Sequence, residues 1–331
     1  MKAIQMTAAG GPEVLRPVDM AAPTIAGPGQ VRVHVRAAGV NPIDTKIRSR
    51  GPFFPDALPI ILGLDGAGVV AEVGEAVTGL APGDEVWYCN GGLGREPGNY
   101  AEYTVIDAAV ARRKPAGVDF AEAAAGPLVL LTAWEGLFDR AGLQGGQTVL
   151  VHAGAGGVGH VAIQLAKWAG ARVATTVGTP EKAALVREFG ADHVIDYRRE
   201  DFVAATLAWT GGRGVDVCLD TVGGETFARS VAATAHYGSL ITLLEPDTGT
   251  AWGEARTRNL KIGFELMLTP LLRALPEARA HQGDILDRCA KLIQRGSLRV
   301  HVSRRYPLDE AAAAHAEIER GRVTGKLVLL P

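Results

Sequence analysis

The sequence predicts an α/β protein: a doubly wound parallel sheet through its middle, preceded by a β-rich domain. Three observations carry this. Residues 147–178 run as strand, glycine-rich turn, helix and strand. From about residue 124 helix and strand patterns alternate, which places helices on both faces of a parallel sheet. Before that point short strands follow one another with Gly and Pro between them, as in a compact, partly closed barrel.

A chain of 331 residues is long for one core, and two domains are the natural division. In the β-rich part Val31, Val33 and Val35 alternate with Arg32, His34 and Arg36, the period of a half-buried strand. His34 lies on the polar phase and reads as solvated. Further strands are expected over 68–73, 85–88 and 100–106, the first two separated by the turn Ala81-Pro82-Gly83-Asp84.

Residues 128–137 then read as a helix leading to a loop at 142–146. Strand 148–152, an apolar helix over 161–168 and strand 172–177 complete the glycine-rich unit. Helix 181–189, strand 193–196, helix 201–209, strand 215–219, helix 225–235 and strand 239–244 follow, with one more strand within 258–266. Beyond it come an amphipathic helix over 285–295 stopped by Gly296, a strand at 299–305, and an alanine-rich helix capped by Asp309 and ending near Gly321. An apolar strand, 326–330, closes the chain. Strands made after the sheet is complete would return to the first domain. The expected division is therefore 1–123 with 266–331 against 124–265.

Gly154, Gly156 and Gly159 stand at G-x-G-x-x-G spacing. The first permits a tight turn, the second lets a pyrophosphate approach the backbone, and the third lets helix and strand pack closely. Gly157 and Val158 sit in the same turn, where the N–H groups of a helix start receive phosphate. Between a strand and a helix the pattern predicts dinucleotide binding. NAD-specific sites carry an acid about 20 positions further on. Here Val177, Gly178 and Thr179 stand in that place, and Lys182 opens the next helix. The cofactor expected is NADPH, with Lys182 on its 2′-phosphate, though a solvated lysine is the plain alternative.

Apolar residues make up 47% of the chain and its net charge is −2, so neither general disorder nor a nucleic-acid surface is expected. Cys89, Cys218 and Cys289 lie far apart, which argues against a disulfide framework and fits a reducing compartment. The start lacks a signal-peptide pattern, and no apolar run reaches the ~18 residues of a membrane span. A soluble cytoplasmic protein is expected.

The segments AAGVNPIDTKIR (37–48), ILGLDGAGVV (61–70), VHAGAGGVG (151–159), VGTPEKAALVREFGADHVIDYR (177–198) and VDVCLDTVGG (215–224) resemble the medium-chain dehydrogenase/reductase superfamily. Together they resemble its zinc-independent quinone oxidoreductase branch, the zeta-crystallin-like group, from residue 2 to about 330. The resemblance implies a GroES-like catalytic domain built from both ends of the chain around an inserted Rossmann domain, and a homodimer formed through the Rossmann sheet. In zinc-dependent relatives three residues hold a catalytic metal; the corresponding positions here are Asn41, Leu64 and Leu128, and leucine cannot bind zinc. Asp65 alone makes no site, and the four-cysteine structural lobe is missing. A metal-free protein is implied, for which alcohol oxidation, dependent on a Lewis acid, is not the expected task. Quinones and α,β-unsaturated carbonyls accept hydride without a metal, given donors for the oxyanion.

By the same resemblance Asn41, Asp44 and Thr132 match positions at the nicotinamide or the vacant metal place, with Asn41 a hydrogen-bonder in the pocket wall. Asp44 has a second reading as a helix cap. Tyr197 matches a position near the 2′-phosphate, or else is a buried structural tyrosine. Thr221 joins the cofactor set. Lys326 reaches the cofactor or is a surface lysine. Lys46 replaces a tyrosine common in relatives, which leaves the proton donor open. Tyr88 and Cys89 are candidates for the cleft, and Phe53 and Phe54 for a pocket wall or packing on the barrel. The expectation is an NADPH-dependent reductase of quinones, with two alternatives: an enone reductase, and an NADPH-binding protein without turnover.

Overall fold

The computed structural model describes all 331 residues, apart from the side chain of Pro55. The chain forms two compact units. The first comprises Met1–Leu128, Pro270–Gly296 and Val300–Pro331; the second comprises Val129–Thr269 and Ser297–Arg299. Among the described residues no helix is long and apolar enough to cross a membrane.

The first unit is built on the strand Gln30–Val40. Its alternating Val31, Val33 and Val35 are all buried. Register shifts against Asp65–Val73, at Arg32/Val33 and Val35/Ala37, break the alternation. Such bulges bend a strand, and Ala37, Ala38 and Val40 beyond them are all buried. The sheet runs Val302–Pro307, Lys326–Leu330, Gln30–Val40, Asp65–Val73, Glu85–Cys89, Arg112–Arg113, with Tyr103–Asp107 also on Gln30–Val40. Two pairings bring distant polar residues together: Val40 lies opposite Leu327, and Gly39 opposite Asp65. A Cβ on Gly39 would lie 2.4 Å from the Ala124 carbonyl and 2.9 Å from Asp65 Cβ. Only glycine lets these strands and the helix Phe120–Ala125 approach so closely. A small sheet of Lys2–Met6, Leu15–Asp19 and Ile60–Ile61 completes the strands of this unit.

The second unit holds a six-stranded, wholly parallel sheet in the order His193–Asp196, Arg172–Val177, Thr148–Val151, Val215–Asp220, Thr234–Thr242, Lys261–Phe264. Strand order reverses beside Thr148–Val151, and such folds bind ligands in the crevice at that point. All four residues of Thr148–Val151 are buried, as expected for a strand covered on both faces. Leu150, Ala174, Ile195, Cys218 and Leu240 form one core layer, closed by Phe202 and Phe227.

Several elements differ from expectation. The helix read over 128–137 spans Pro127–Trp134 and continues as wider π turns through Arg140. The helix read over 285–295 begins at Pro276, because its first turns are too polar to show an apolar stripe. The strand read over 239–244 begins at Thr234, where Tyr237 takes a positive φ of 62°. Asp309 caps nothing: it lies inside a 3-10 turn, Leu308–Glu310, and the helix Ala311–Glu319 starts after it.

Candidate functional site

The glycine-rich turn closes tightly. A Cβ on Gly154 would sit 2.0 Å from Thr175 Oγ1, and one on Gly159 would sit 2.3 Å from the Ala153 carbonyl. Gly156 is the N-cap of the helix Gly157–Trp168. The first intrahelical bond runs from His160 N–H to the Gly156 carbonyl, 3.1 Å. The N–H groups of Gly157, Val158 and Gly159 precede it and have no helical acceptor. Three backbone donors at the positive end of a helix suit a pyrophosphate. Thr221, at the end of the next strand, donates its hydroxyl to the His152 carbonyl at 2.8 Å.

At the end of Arg172–Val177 the structure gathers the other cofactor candidates. Thr179 caps the helix Pro180–Glu188 by accepting Lys182 N–H at 3.3 Å. A Cβ on Gly178 would meet the Tyr197 hydroxyl at 2.6 Å, so the Tyr197 side chain lies over this glycine. Tyr197 is 54% exposed, which overturns the reading of it as a buried structural residue. Burial first, and the positive charge of Arg198 second, hold Lys182 below its ordinary pKa. Arg198, in the segment VIDYR, is the functional candidate that residue-type reasoning passed over. Neither cation makes an ion pair among the described residues. Two adjacent cations without a carboxylate, beside a backbone position that needs glycine, form a donor set that fits a ribose phosphate.

The first unit contains a buried polar cluster assembled by the pairings at residues 39 and 40. Asn41 donates its amide Nδ2 to Asp65 Oδ2, 2.9 Å, and accepts at Oδ1 from Lys326 Nζ. Lys326 Nζ also donates to the Val40 carbonyl at 3.2 Å and lies 3.8 Å from Asp65 Oδ2. Asp65 Oδ1 accepts the Leu128 N–H at 2.8 Å. Asn41 and Asp65 are wholly buried, and Lys326 is 3% exposed. The surface-lysine reading of Lys326 is therefore wrong. The expectation that Asn41 presents its amide to a pocket also needs correction, because both ends of the amide are committed inside the protein. Burial raises the pKa of Asp65 and lowers that of Lys326, and their mutual attraction opposes both shifts.

Asp44 lies on the helix Pro42–Arg50. Its Oδ2 accepts the Asn41 N–H, 2.8 Å, and the Tyr100 hydroxyl, 3.2 Å. The cap reading of Asp44 thus holds, and it places the carboxyl in the same cluster. Burial pushes its pKa up to about 7. Tyr100 also contacts His315 Nε2 at 3.1 Å, and burial pushes His315 down to about 3. Tyr100 and His315 carried no sequence signal. Thr132 is buried on Pro127–Trp134 in the second unit, so it belongs to a different unit from Asn41 and Asp44. Leu64, matched in sequence to a metal-ligand position of zinc-dependent relatives, is wholly buried; Leu128, matched to another, gives its backbone N–H to Asp65. Among the described residues no three His, Cys, Asp or Glu side chains are grouped to hold a metal ion.

The remaining candidates separate. Tyr88 is fully buried and donates to Asn99 Oδ1, 3.0 Å; it belongs to the barrel core. Cys89 is buried too, and burial holds its thiol well above the usual range, which leaves it unreactive. His34 stacks on Tyr103 with ring centroids 4.5 Å apart. Lys46 is half-buried, Phe53 is 48% exposed, and Phe54 packs under the guanidinium of Arg95.

Two family profiles match the chain: an alcohol dehydrogenase GroES-like domain over residues 27–116 and a zinc-binding dehydrogenase over residues 189–329. The quinone oxidoreductase of Pseudomonas aeruginosa is 40% identical, covering 100% of this chain and 99% of that protein. A 2-haloacrylate reductase of a Burkholderia species is 33% identical, covering 97% of this chain and 96% of that protein. The crystal structure of Escherichia coli quinone oxidoreductase complexed with NADPH superposes with a TM-score of 0.88 at 34% identity, over the whole of both chains.

Proposed function

We propose, from the premise that this chain belongs to the zinc-independent quinone oxidoreductase branch of the medium-chain dehydrogenase/reductase superfamily, that it is an NADPH-dependent reductase of quinones. The observation that carries the cofactor is the pair Lys182 and Arg198, two cations without a carboxylate partner beside Gly178 and Tyr197. In that role the N–H groups of Gly157, Val158 and Gly159 hold the pyrophosphate, and Lys182 and Arg198 the 2′-phosphate. Bound NADPH supplies the hydride. Asn41 and Asp44 are the proposed side chains of the hydride site in the first unit, and Thr132 is proposed by its own match as a nicotinamide residue of the second. Asn41 acts there by shape, since its amide is held by Asp65 and Lys326. Lys326 is reassigned in this reading from a cofactor contact to the brace of that wall.

The acceptor rests on likeness to the Pseudomonas aeruginosa relative. The Burkholderia relative, named for reduction of an unsaturated acid, favours an enone as the second reading. Steady-state oxidation of NADPH with 1,4-benzoquinone, 9,10-phenanthrenequinone and a small enone separates the two. Bound NADPH that none of the three oxidises would leave a binding protein without turnover. For the cofactor, Lys182→Ala is expected to weaken NADPH by roughly ten-fold or more, the value of a charged hydrogen bond, and to leave NADH nearly unchanged. Equal losses for both nucleotides would refute the assignment of Lys182.

Two further features complete the proposal. The strand Lys261–Phe264 is the last strand of the sheet of the second unit; Phe264, its final residue, is 60% exposed and Leu266 just beyond it is 51% exposed. A second copy pairing along this strand would make the homodimer, and light scattering on the purified chain tests it. The three cysteines are free, which suits the reducing cytoplasm proposed as its compartment.

A further inference from the structure

His152 follows the strand Thr148–Val151 and stands two residues before Gly154, and the chemistry proposed above gives its side chain no task. The ring is 1% exposed and meets Phe202 edge-on, with centroids 4.8 Å apart. Both of its nitrogens are in hydrogen-bond contact: Nδ1 with Thr176 Oγ1 at 3.2 Å, and Nε2 with Ser230 Oγ at 2.9 Å. Thr176 lies on Arg172–Val177 and Ser230 on the helix Gly224–Ala233, and both are buried. All of these residues belong to the second unit.

The hydroxyls decide which nitrogen carries the proton. A carbonyl only accepts, so the 2.7 Å contact of Ser230 Oγ with the Thr226 carbonyl uses the one proton of that hydroxyl. Toward His152, Ser230 therefore accepts, and Nε2 carries hydrogen. In the neutral ring Nδ1 is then an acceptor, and the Thr176 hydroxyl donates to it. Thr176 Oγ1 in turn accepts the Ala153 N–H at 3.0 Å. The bonds run one way, from Ala153 N–H through Thr176, His152 and Ser230 to Thr226. Burial, opposed by Asp220 and aided by Arg229, pushes the pKa of His152 down to about 4, so the ring is neutral at pH 7.

This chain of bonds reaches each segment assigned to the nucleotide. Ala153 enters the glycine-rich turn with φ of 50°, a left-handed conformation that is costly for a residue with a Cβ. Its carbonyl accepts the Gly156 N–H at 2.8 Å and stands where a Cβ on Gly159 would meet it at 2.3 Å. The Thr176 carbonyl accepts the Gly154 N–H at 3.1 Å, two residues before Gly178. Thr221 donates to the His152 carbonyl, and the helix carrying Ser230 begins three residues after Thr221. A strained residue persists only where its surroundings over-determine it; at Ala153 these bonds are the surroundings.

We propose that His152 is a positioning residue for the nucleotide: its Nε2–H tautomer locks the glycine-rich turn, the strand end before Gly178 and the segment after Asp220 into the arrangement that receives the pyrophosphate. The proposal rests on the reading of that turn as a dinucleotide site. His152 acts through Ala153, Thr176 and Thr221, and touches no reacting atom.

Thr176→Val keeps the shape of the side chain and removes its hydroxyl, whereas Thr176→Ser keeps the hydroxyl. Followed by cofactor fluorescence, NADPH should bind roughly ten-fold more weakly to Thr176→Val, which strands two buried polar groups, and within about three-fold of wild type to Thr176→Ser. NADH carries the same pyrophosphate and should lose as much, in contrast to its indifference to Lys182→Ala. Ser230→Ala strands the Nε2–H at the other end of the chain of bonds and should reproduce the loss, which keeps the test decisive if Thr176→Val folds poorly by its thermal midpoint. Nitrogen-15 NMR of the imidazole, at pH 7 without nucleotide, should show Nε2 protonated and Nδ1 bare. A protonated Nδ1, equal affinities of the Val and Ser variants, or variants that lose thermal stability but no affinity would each overturn the proposal. A wild-type chain that binds neither nucleotide would overturn the dinucleotide reading, and this proposal with it.

Discussion

Lys326→Met keeps the length of the buried stem and removes its charge. In the folded variant Asp65 retains the Asn41 amide at 2.9 Å and the Leu128 N–H at 2.8 Å, and loses a cation 3.8 Å away. At an effective dielectric of 20, opposite charges about 4 Å apart attract by ~4 kcal/mol. Removing one partner of a buried pair costs about 3–5 kcal/mol. The two figures agree, and a loss of ~4 kcal/mol at neutral pH is expected. Without the ammonium, burial raises the Asp65 pKa further above its unfolded value. A carboxyl whose folded pKa is raised favours folding at low pH and loses that contribution as pH rises through the folded pKa. The variant's deficit should therefore be smaller at pH 5 than at pH 8. Equilibrium urea unfolding at both pH values measures it. The double variant Asp65→Asn/Lys326→Met should recover about half the loss or more, because neither charge is left alone. A deficit below ~1 kcal/mol, the same at both pH values, would refute the argument, since surface substitutions fall within about ±0.5 kcal/mol. So would losses that simply add in the double variant.

Asp44, raised to about 7 by burial, binds a proton when folded that the unfolded chain releases near pH 4. Its contribution favours folding at acid pH and is lost as pH rises through 7, so Asp44→Asn should flatten the stability profile from pH 5 to 8, measured by thermal midpoint. An unchanged profile would exclude Asp44 as its source. Glu265 is pushed up to about 9, first by burial and then by Glu135. Wild-type stability should fall as pH rises from 7 through 9, and Glu265→Gln, which still accepts from Arg140, should remove that fall. Gly159→Ala forces a Cβ to within 2.3 Å of a backbone oxygen. Overpacking of this kind costs about 1–3 kcal/mol, and NADPH affinity, followed by cofactor fluorescence, should drop with it; full affinity would mean the turn tolerates a shift.

What the sequence made legible was local. Gly154, Gly156 and Gly159 act within one turn, between a strand and a helix close in the chain, and their spacing carries their geometry. Lys326 is different. It lies next to a glycine and opens an apolar run, and nothing nearby separates a buried lysine from a surface one. It is buried because Leu327 pairs with Val40, a contact between the two ends of the chain. Tyr100 and His315 meet across the same unit, and no periodicity records their meeting. Tyr88 escapes sequence reading for another reason. On Glu85–Cys89 both Trp87 and Tyr88 are fully buried, so alternation cannot tell a residue facing a cleft from one facing the other half of the core. Asn41 shows the general limit. A sequence gives the donors and acceptors of an amide, but long-range pairing decides which neighbours take them. The charge states at Asp44, Asp65 and Lys326 follow from that pairing alone, because burial sets them and non-local strands set the burial.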